Sequence, residues 1–345
     1  MKPAVDAGLD PSMDAACSTC EYAGKQLEVS EANPRSITDP MTGRVLPLLV
    51  RFPMGPGPYP VVIWSHGGAL NDNGHRSNDV WSREIAANGY IVIHLAHVTL
   101  NTQTAAALCM LASVPVSECM PGNATNDDEA PFVTIARPRD MIAVLDALPD
   151  LAAQSMNDGG PMVDLSKVVV AGWSAGSRGP VALLGAKRRL TPSIPEFAMP
   201  DPRPVAAIAL SPAGVGYFGF YSEDGATSWD GMRGPLFVST GANDVKAEPP
   251  GLTGAVRRTA FDNQPMDGTR QLLYSNLAEG TGDHGTYNLA DLTSTDPRLL
   301  GFSRALRSAV LAFLDANVHD DATAKAWLAS DRALRVAGDA EWTRR

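Results

Sequence analysis

Short, continuously apolar runs recur along the chain, separated by stretches in which apolar residues return every three or four positions. The runs are LEVSE (27–31), VLPLLVRF (45–52), PVVIWSH (60–66), YIVIHLA (90–96), KVVVAG (167–172), AAIALS (206–211), PLFVST (235–240) and QLLYSN (271–276). Rich in β-branched residues and bounded by turn formers, they predict eight strands. The later runs do not alternate apolar with polar, as expected of parallel strands covered on both faces. Helices are predicted at SNDVWSREIAANG (77–89), TIARPRDMIAVLDALPDLAAQ (134–154) and LLGFSRALRSAVLAFLDANV (299–318). In the second, Ile135, Met141, Val144 and Leu145 fall near helical spacing, and Pro138 is expected in the first turn. Strand alternating with helix predicts an α/β fold, with a mostly parallel eight-stranded central sheet and helices on both faces.

Polar stretches set the outer limits. Residues 1–25 are expected as a flexible extension, 26–320 as the folded domain, and 321–345 as a short helix and charged tail. Residues 98–133 read as a long loop, which at that length is usually functional or disordered. About two dozen residues separate the sixth and seventh runs, too few for a large helical cap domain.

The strongest chemical signal is VVVAGWSAG (168–176). An apolar strand feeds a turn in which Gly172 and Gly176 flank Ser174, and a helix-compatible segment, PVALLGAKRR, follows. Such a turn is too crowded for side chains at the glycine positions, and it strains the serine so that its Oγ stands at the top of a sheet. A Gly-rich strand-to-helix turn without chemistry is the plainer alternative.

A serine hydroxyl needs a base to take its proton and an acid to orient that base. In PLFVSTGANDV, Asp244 follows a strand end; Asn243 lacks the charge, and Asp224 has no strand to place it. Beyond Asp244 only His284 and His319 remain. His284 lies in the Gly-flanked loop AEGTGDHGTYN, whereas His319 follows a long helix whose dipole it can complement. His284 is therefore the expected base, and neighbouring Asp283 is expected to hydrogen-bond within its loop. Backbone N–H groups must also meet the oxygen that becomes negative. Ala175 is the first expected donor. The turn WSHGGAL supplies the second, assigned to Gly68 with Ala69 as runner-up, and His66 is read as tying that turn down. Ala69, Trp173, Tyr217 and Phe218 are candidate substrate contacts. The last two belong to an aromatic stretch with Phe220, Tyr221 and Trp229 that reads equally as a substrate wall or as ordinary packing. His75, His94 and His97 have no motif partner and read as packing or loop residues, so no metal and no cofactor are inferred. Arg137 and Asp140 read as a local ion pair or cap at a helix start.

HGG after a strand, GWSAG on its turn, GAND after a later strand and DHG in a terminal loop together resemble the α/β-hydrolase superfamily, from about residue 40 to 318. Within it, the SHG turn and RPRDMIAVLDAL (137–148) are similar to dienelactone-hydrolase-like esterases, related to platelet-activating-factor acetylhydrolases and bacterial polyester hydrolases. Dienelactone hydrolases proper use a cysteine where this chain has Ser174. The resemblance implies a serine esterase acting on a small-molecule or polymeric ester through Ser174, His284 and Asp244. Amide cleavage or acyl transfer by the same triad is the alternative, and a non-catalytic binding protein on the same scaffold is the more distant one.

A net charge of −10 argues against nucleic acid or an anionic membrane surface as partner. No apolar run approaches the length of a membrane-spanning helix. Cys17 with Cys20 and Cys109 with Cys119 read as short-loop disulfides, which form in oxidising compartments. MKPAVDAGLD lacks an apolar signal core, yet AVDAGLDPSMDAA reads as the spacer after a removed signal or lipid anchor. Export is the expectation, with a cytoplasmic location the alternative.

Overall fold

Strand residues alternate between two buried faces, and that alternation organises the molecule. In the computed structural model, residues 19–77, 79–120, 131–190, 196–217, 228–245, 251–277 and 281–345 are described. The strands are β1 (Asn33–Thr38), β2 (Val45–Arg51), β3 (Tyr59–Ser65), β4 (Ile91–Leu95), β5 (Val163–Trp173), β6 (Lys187–Arg188), β7 (Phe197–Ala198), β8 (Pro204–Leu210), β9 (Leu236–Gly241), β10 (Arg270–Ser275) and β11 (Ala340–Arg344). Nine of them form one sheet in the order β1-β2-β4-β3-β5-β8-β9-β10-β11, and β6 pairs with β7 separately. From β4 across to β10 every neighbouring pair is parallel. β1 with β2, β2 with β4 and β10 with β11 are antiparallel. The fold is thus mixed α/β with a large, mostly parallel sheet.

Val62, Trp64, Val169, Ala171, Ile208 and Phe237 face one layer of helices, including α1 (Asp79–Ala87) and the long helix Pro297–Val318. Their neighbours Val61, Ile63, Val168, Val170, Ala207 and Val238 face the other layer, dominated by the helix Pro131–Asn157. Period-two alternation between two apolar layers explains why the central runs read as continuously hydrophobic.

Several boundaries differ from the sequence expectation. LEVSE contributes only a bridge from Val29 to Pro53, and the first strand is Asn33–Thr38 instead. A hairpin pairs the residues next to its turn, here Thr38 with Val45 across the Asp39–Arg44 hydrogen bond, so proximity outweighs β propensity. The loop expected over 98–133 holds two helices, α2 (Thr102–Leu111) and α3 (Val116–Cys119). Asn101 caps the first through a capping box with Thr104, and a Cys109–Cys119 disulfide ties the pair together. Cys20 is also disulfide-bonded, while Cys17 lies outside the described residues.

The next helix, α4 (Pro131–Asn157), starts earlier than expected, so Pro138 lies in its interior and not in its first turn. Proline cannot donate to the carbonyl four residues back. Arg188 Nη1 donates to that Thr134 carbonyl instead, at 3.0 Å, so the helix continues through the proline.

The ends of the chain are built into the body. Residues 322–337 form two helices whose Trp327, Leu328 and Val336 join the core, and β11 adds an edge strand where a charged tail was expected. Residues 19–25 are not a loose extension either. Tyr22 donates to Asp315 at 2.7 Å, and Trp327 Nε1 donates to the Cys20 carbonyl at 2.7 Å. Among the described residues, no helix is long and apolar enough to cross a membrane.

Candidate active site

The carboxyl ends of the parallel strands share one rim, and the expected site residues sit just past those ends. Ser174 follows β5 and opens a one-turn 3-10 segment (Ser174–Ser177) that passes into α5 (Arg178–Leu183). Its φ is +54°, a left-handed conformation that costs an L-residue about 1–2 kcal/mol. The flanking glycines are sterically required. A Cβ on Gly172 would strike the Gly176 carbonyl, and a Cβ on Gly176 would strike the Ser65 carbonyl.

His284 reaches the serine from the loop after β10. Its Nε2 accepts from Ser174 Oγ at 2.8 Å, and its Nδ1 donates to Asp244 Oδ1 at 2.7 Å. Asp244, past the end of β9, is fully buried. Burial alone would raise its pKa. The hydrogen bond from His284 and the charge of Arg257, whose Nε lies 3.2 Å from Oδ1, outweigh that and hold it below the usual carboxylate range. An ionised carboxylate only accepts, so the imidazole proton sits on Nδ1 and Nε2 offers its lone pair to Ser174.

The carboxylate is further fixed by Thr240 Oγ1, which donates to Oδ2 at 2.7 Å. Ser211, just past β8, brings its Oγ within 2.9 Å of His284 Nδ1 and hydrogen-bonds Asp244 as well. Ser211 also adopts a left-handed conformation, φ +50°, and its carbonyl accepts from Arg257 Nη1 at 2.9 Å. Sequence reading passed over Ser211, Thr240 and Arg257. The first two close apolar strand runs, at the same rim position as the residues that were selected.

Ala175, adjoining the serine, is buried. The other expected donor, Gly68, lies in the turn after β3 with φ +74°, and Ala69 beside it is exposed. Gly67 passes so close that a Cβ there would press on the Trp173 ring and come within 3.2 Å of Ser174 Cβ. Trp173 is half-buried, its ring centroid 5.1 Å from that of His284, and its Nε1 donates to the His284 carbonyl at 3.2 Å.

Beneath the turn lies a set of buried polar groups. Arg137 donates from Nη1 to the His66 carbonyl at 2.8 Å and from Nη2 to the Gly68 carbonyl. Those carbonyls, and not the Asp140 carboxylate expected from the sequence, take its two Nη donors, although its charge still acts on Asp140. Asp140 instead pairs with Arg44 and accepts from His97 Nδ1 at 2.9 Å, while His97 Nε2 accepts from Ser65 Oγ at 2.7 Å. His66 holds its own turn through Nδ1 and the Gly67 carbonyl at 2.8 Å, and burial pushes its pKa down to about 2.

The other candidates fall elsewhere. Asn243 Nδ2 donates to the Thr281 carbonyl at 2.7 Å, and Asp283 accepts from the Gly285 N–H at 2.8 Å within its loop. Tyr217 is half-buried against the core and Trp229 is wholly inside it, so the tryptophan is packing and no part of a wall. Phe218, Phe220, Tyr221 and Asp224 lie outside the described residues. His94 contacts Ser82 Oγ at 3.1 Å, and the His319 ring lies tilted against Tyr90, centroids 5.4 Å apart. Among the described residues, no group of three or more His, Cys, Asp or Glu side chains could hold a metal ion.

No protein-family model matches this chain, and no curated protein matches it in sequence.

Proposed function

We propose that this protein is a serine hydrolase of the α/β-hydrolase type that cleaves carboxylic esters. The observation that carries the reading is the hydrogen-bonded chain Ser174–His284–Asp244, with its serine on a left-handed turn between two obligatory glycines. The run of parallel strands flanked by antiparallel edges supports it, because ligand sites in such sheets lie beyond the strands' carboxyl ends.

In this reading His284 Nε2 takes the Ser174 hydroxyl proton as Oγ attacks the ester carbonyl carbon. The C–O π electrons move onto the carbonyl oxygen, which is met by the Ala175 N–H and by N–H groups of the His66–Ala69 turn. Collapse breaks the bond to the alkoxy oxygen, which leaves with the proton from Nε2. Water then attacks the acyl-serine by the same proton route and releases the acid. Asp244 stays ionised throughout and stabilises the imidazolium. Trp173, Ala69 and Tyr217 are proposed to border the substrate, whether a small or a polymeric ester.

The test is turnover of p-nitrophenyl butyrate and labelling by a fluorophosphonate. The wild-type protein should do both at Ser174, and Ser174→Ala should do neither while remaining folded. Undiminished turnover by the purified variant would overturn the reading.

A further inference from the structure

The carbonyls of His66, Gly67 and Gly68 form an unbroken series, and each is taken by a donor from the protein interior. Arg137 holds the first and third, and His66 Nδ1 holds the second. These peptide bonds are trans, and a planar trans peptide points its N–H opposite to its C=O. Three inward carbonyls therefore turn the N–H groups of Gly67, Gly68 and Ala69 away from the buried donors, outward at the rim where Ser174 stands.

The donors are themselves held. The His97 backbone N–H donates to His66 Nε2 at 3.2 Å, which leaves Nδ1 as the protonated nitrogen facing the Gly67 carbonyl. The His97 ring is fixed at both ends by Ser65 and Asp140, and Asp140 by Arg44. Arg137 and Asp140 stand one helical turn apart on the sheet-facing side of α4, with Met141 and Val144. Arg137, His97 and Asp140 are inaccessible to solvent, so none can touch a substrate.

We infer that Arg137 and His66 are positioning residues: they set the direction of the backbone N–H groups that meet the developing oxyanion, and the buried Ser65–His97–Asp140 chain holds His66 in place through the His97 N–H. The inference rests on the serine-hydrolase reading. It also widens the expected donor from Gly68 to the whole turn, because Gly67 and Ala69 are oriented by the same clamp.

Arg137→Lys is the test, since an ammonium keeps the charge but cannot span two carbonyls as a planar fork does. Active sites are first counted by fluorophosphonate, so that misfolded molecules do not enter the rate. Per-site kcat for p-nitrophenyl butyrate should fall roughly ten- to a hundredfold with KM nearly constant. Affinity for an alkyl trifluoromethyl ketone, whose serine adduct carries an oxyanion at the same position, should fall by a similar factor. Should Arg137→Lys fail to fold, His66→Gln is read by the same criteria. A folded variant with wild-type per-site kcat and ketone affinity overturns the inference and leaves the hydrolase reading standing. An unmutated protein that neither labels nor turns over ester overturns both.

Discussion

Two Ser–His–Asp chains lie side by side at the same rim of the sheet. Past the strand ends, Ser174–His284–Asp244 has hydrogen bonds of 2.8 and 2.7 Å; beneath the neighbouring turn, Ser65–His97–Asp140 has 2.7 and 2.9 Å. Residue types and spacing alone would not tell them apart. The serines differ: Ser174 stands on a left-handed turn with 7% of its surface exposed, whereas Ser65 is a fully buried strand residue. The acids differ too. Burial raises both, but Asp244 is brought back below the usual range by His284 and Arg257, while Asp140 stays up at about 6 despite Arg44. His97 is driven well below its ordinary pKa by burial and by nearby arginines, which favours its neutral form. A hydrogen-bonded triad is thus compatible with either chemistry or scaffolding, and access together with the electrostatic surroundings decides which.

The largest expected separation comes from the serines. Ser174→Ala should lower kcat/KM for p-nitrophenyl butyrate on the order of 10⁴- to 10⁶-fold. Ser65→Ala removes a hydroxyl with no access to solvent and should cost less than about tenfold. Comparable losses in the two variants, per folded molecule, would erase the distinction.

The acids should separate along different axes. Asp244→Asn removes the charge proposed to stabilise the imidazolium and should lower kcat roughly 10³- to 10⁴-fold while the protein stays folded. Asp140→Asn instead removes one of two buried acids beside Arg44, Asp39 being the other at 3.9 Å; it should act on stability, with kcat kept within about tenfold. Denaturant melts and single-substrate kinetics on both variants check this, and a crossed pattern would assign the roles the other way.

This contrast also explains what was legible in the sequence. Ser174, Asp244 and His284 each lie just past an apolar strand run inside a short Gly-containing motif, so local pattern is enough to select them. The second chain has no such signature. Ser65 ends a strand, His97 follows another, and Asp140 sits on a helix more than forty positions further along; only the packing of α4 under β3 and β4 brings them together. Arg137 was misread for the same reason: a sequence offers its neighbour Asp140 as a partner, while the fold offers two carbonyls of a distant turn. The sheet's edges were the least legible part. Pairing across a turn fixed β1, and the apolar faces of Trp327 and Trp342 drew the polar C-terminal segment onto the core.

A smaller effect reads the buried side through pH. Burial lowers the folded pKa of His94 to about 3 and that of His66 to about 2, and His97 is lowered as well. In the unfolded chain a histidine titrates at about 6.5, so below that pH the unfolded state binds more protons and stability falls with pH. Each such histidine contributes a slope of up to about 1.4 kcal/mol per pH unit, continuing down to its folded pKa. Asp140 acts in the opposite sense. Its folded pKa of about 6 exceeds the usual 3.8, so its contribution to stability is lost as pH rises through 6 and recovered on acidification. Five depressed histidines, His75 and His319 included, against one raised carboxyl leave a net loss. The melting temperature should therefore fall steadily from pH 7 to pH 5, and His94→Gln should flatten the decline. A flat profile in the wild-type protein would contradict buried, neutral histidines.

Within the Ser174 chain the smallest expected effect belongs to a residue with no counterpart in the buried chain. Ser211 adds a second oxygen within 2.9 Å of His284 Nδ1 and a hydrogen bond to Asp244, and it does so from a strained backbone. A left-handed serine that spends its hydroxyl on the base–acid pair is spending strain on orientation. Ser211→Ala keeps the strain and removes the hydroxyl, so kcat should fall roughly tenfold, about 1.4 kcal/mol in barrier, with KM unchanged. Ser211→Gly removes both the hydroxyl and the strain. If orientation of His284 is what the hydroxyl supplies, both variants lose the same rate. If only backbone geometry matters, the alanine variant keeps its rate and the glycine variant alone departs from it, and the Ser174 chain then needs no fourth member.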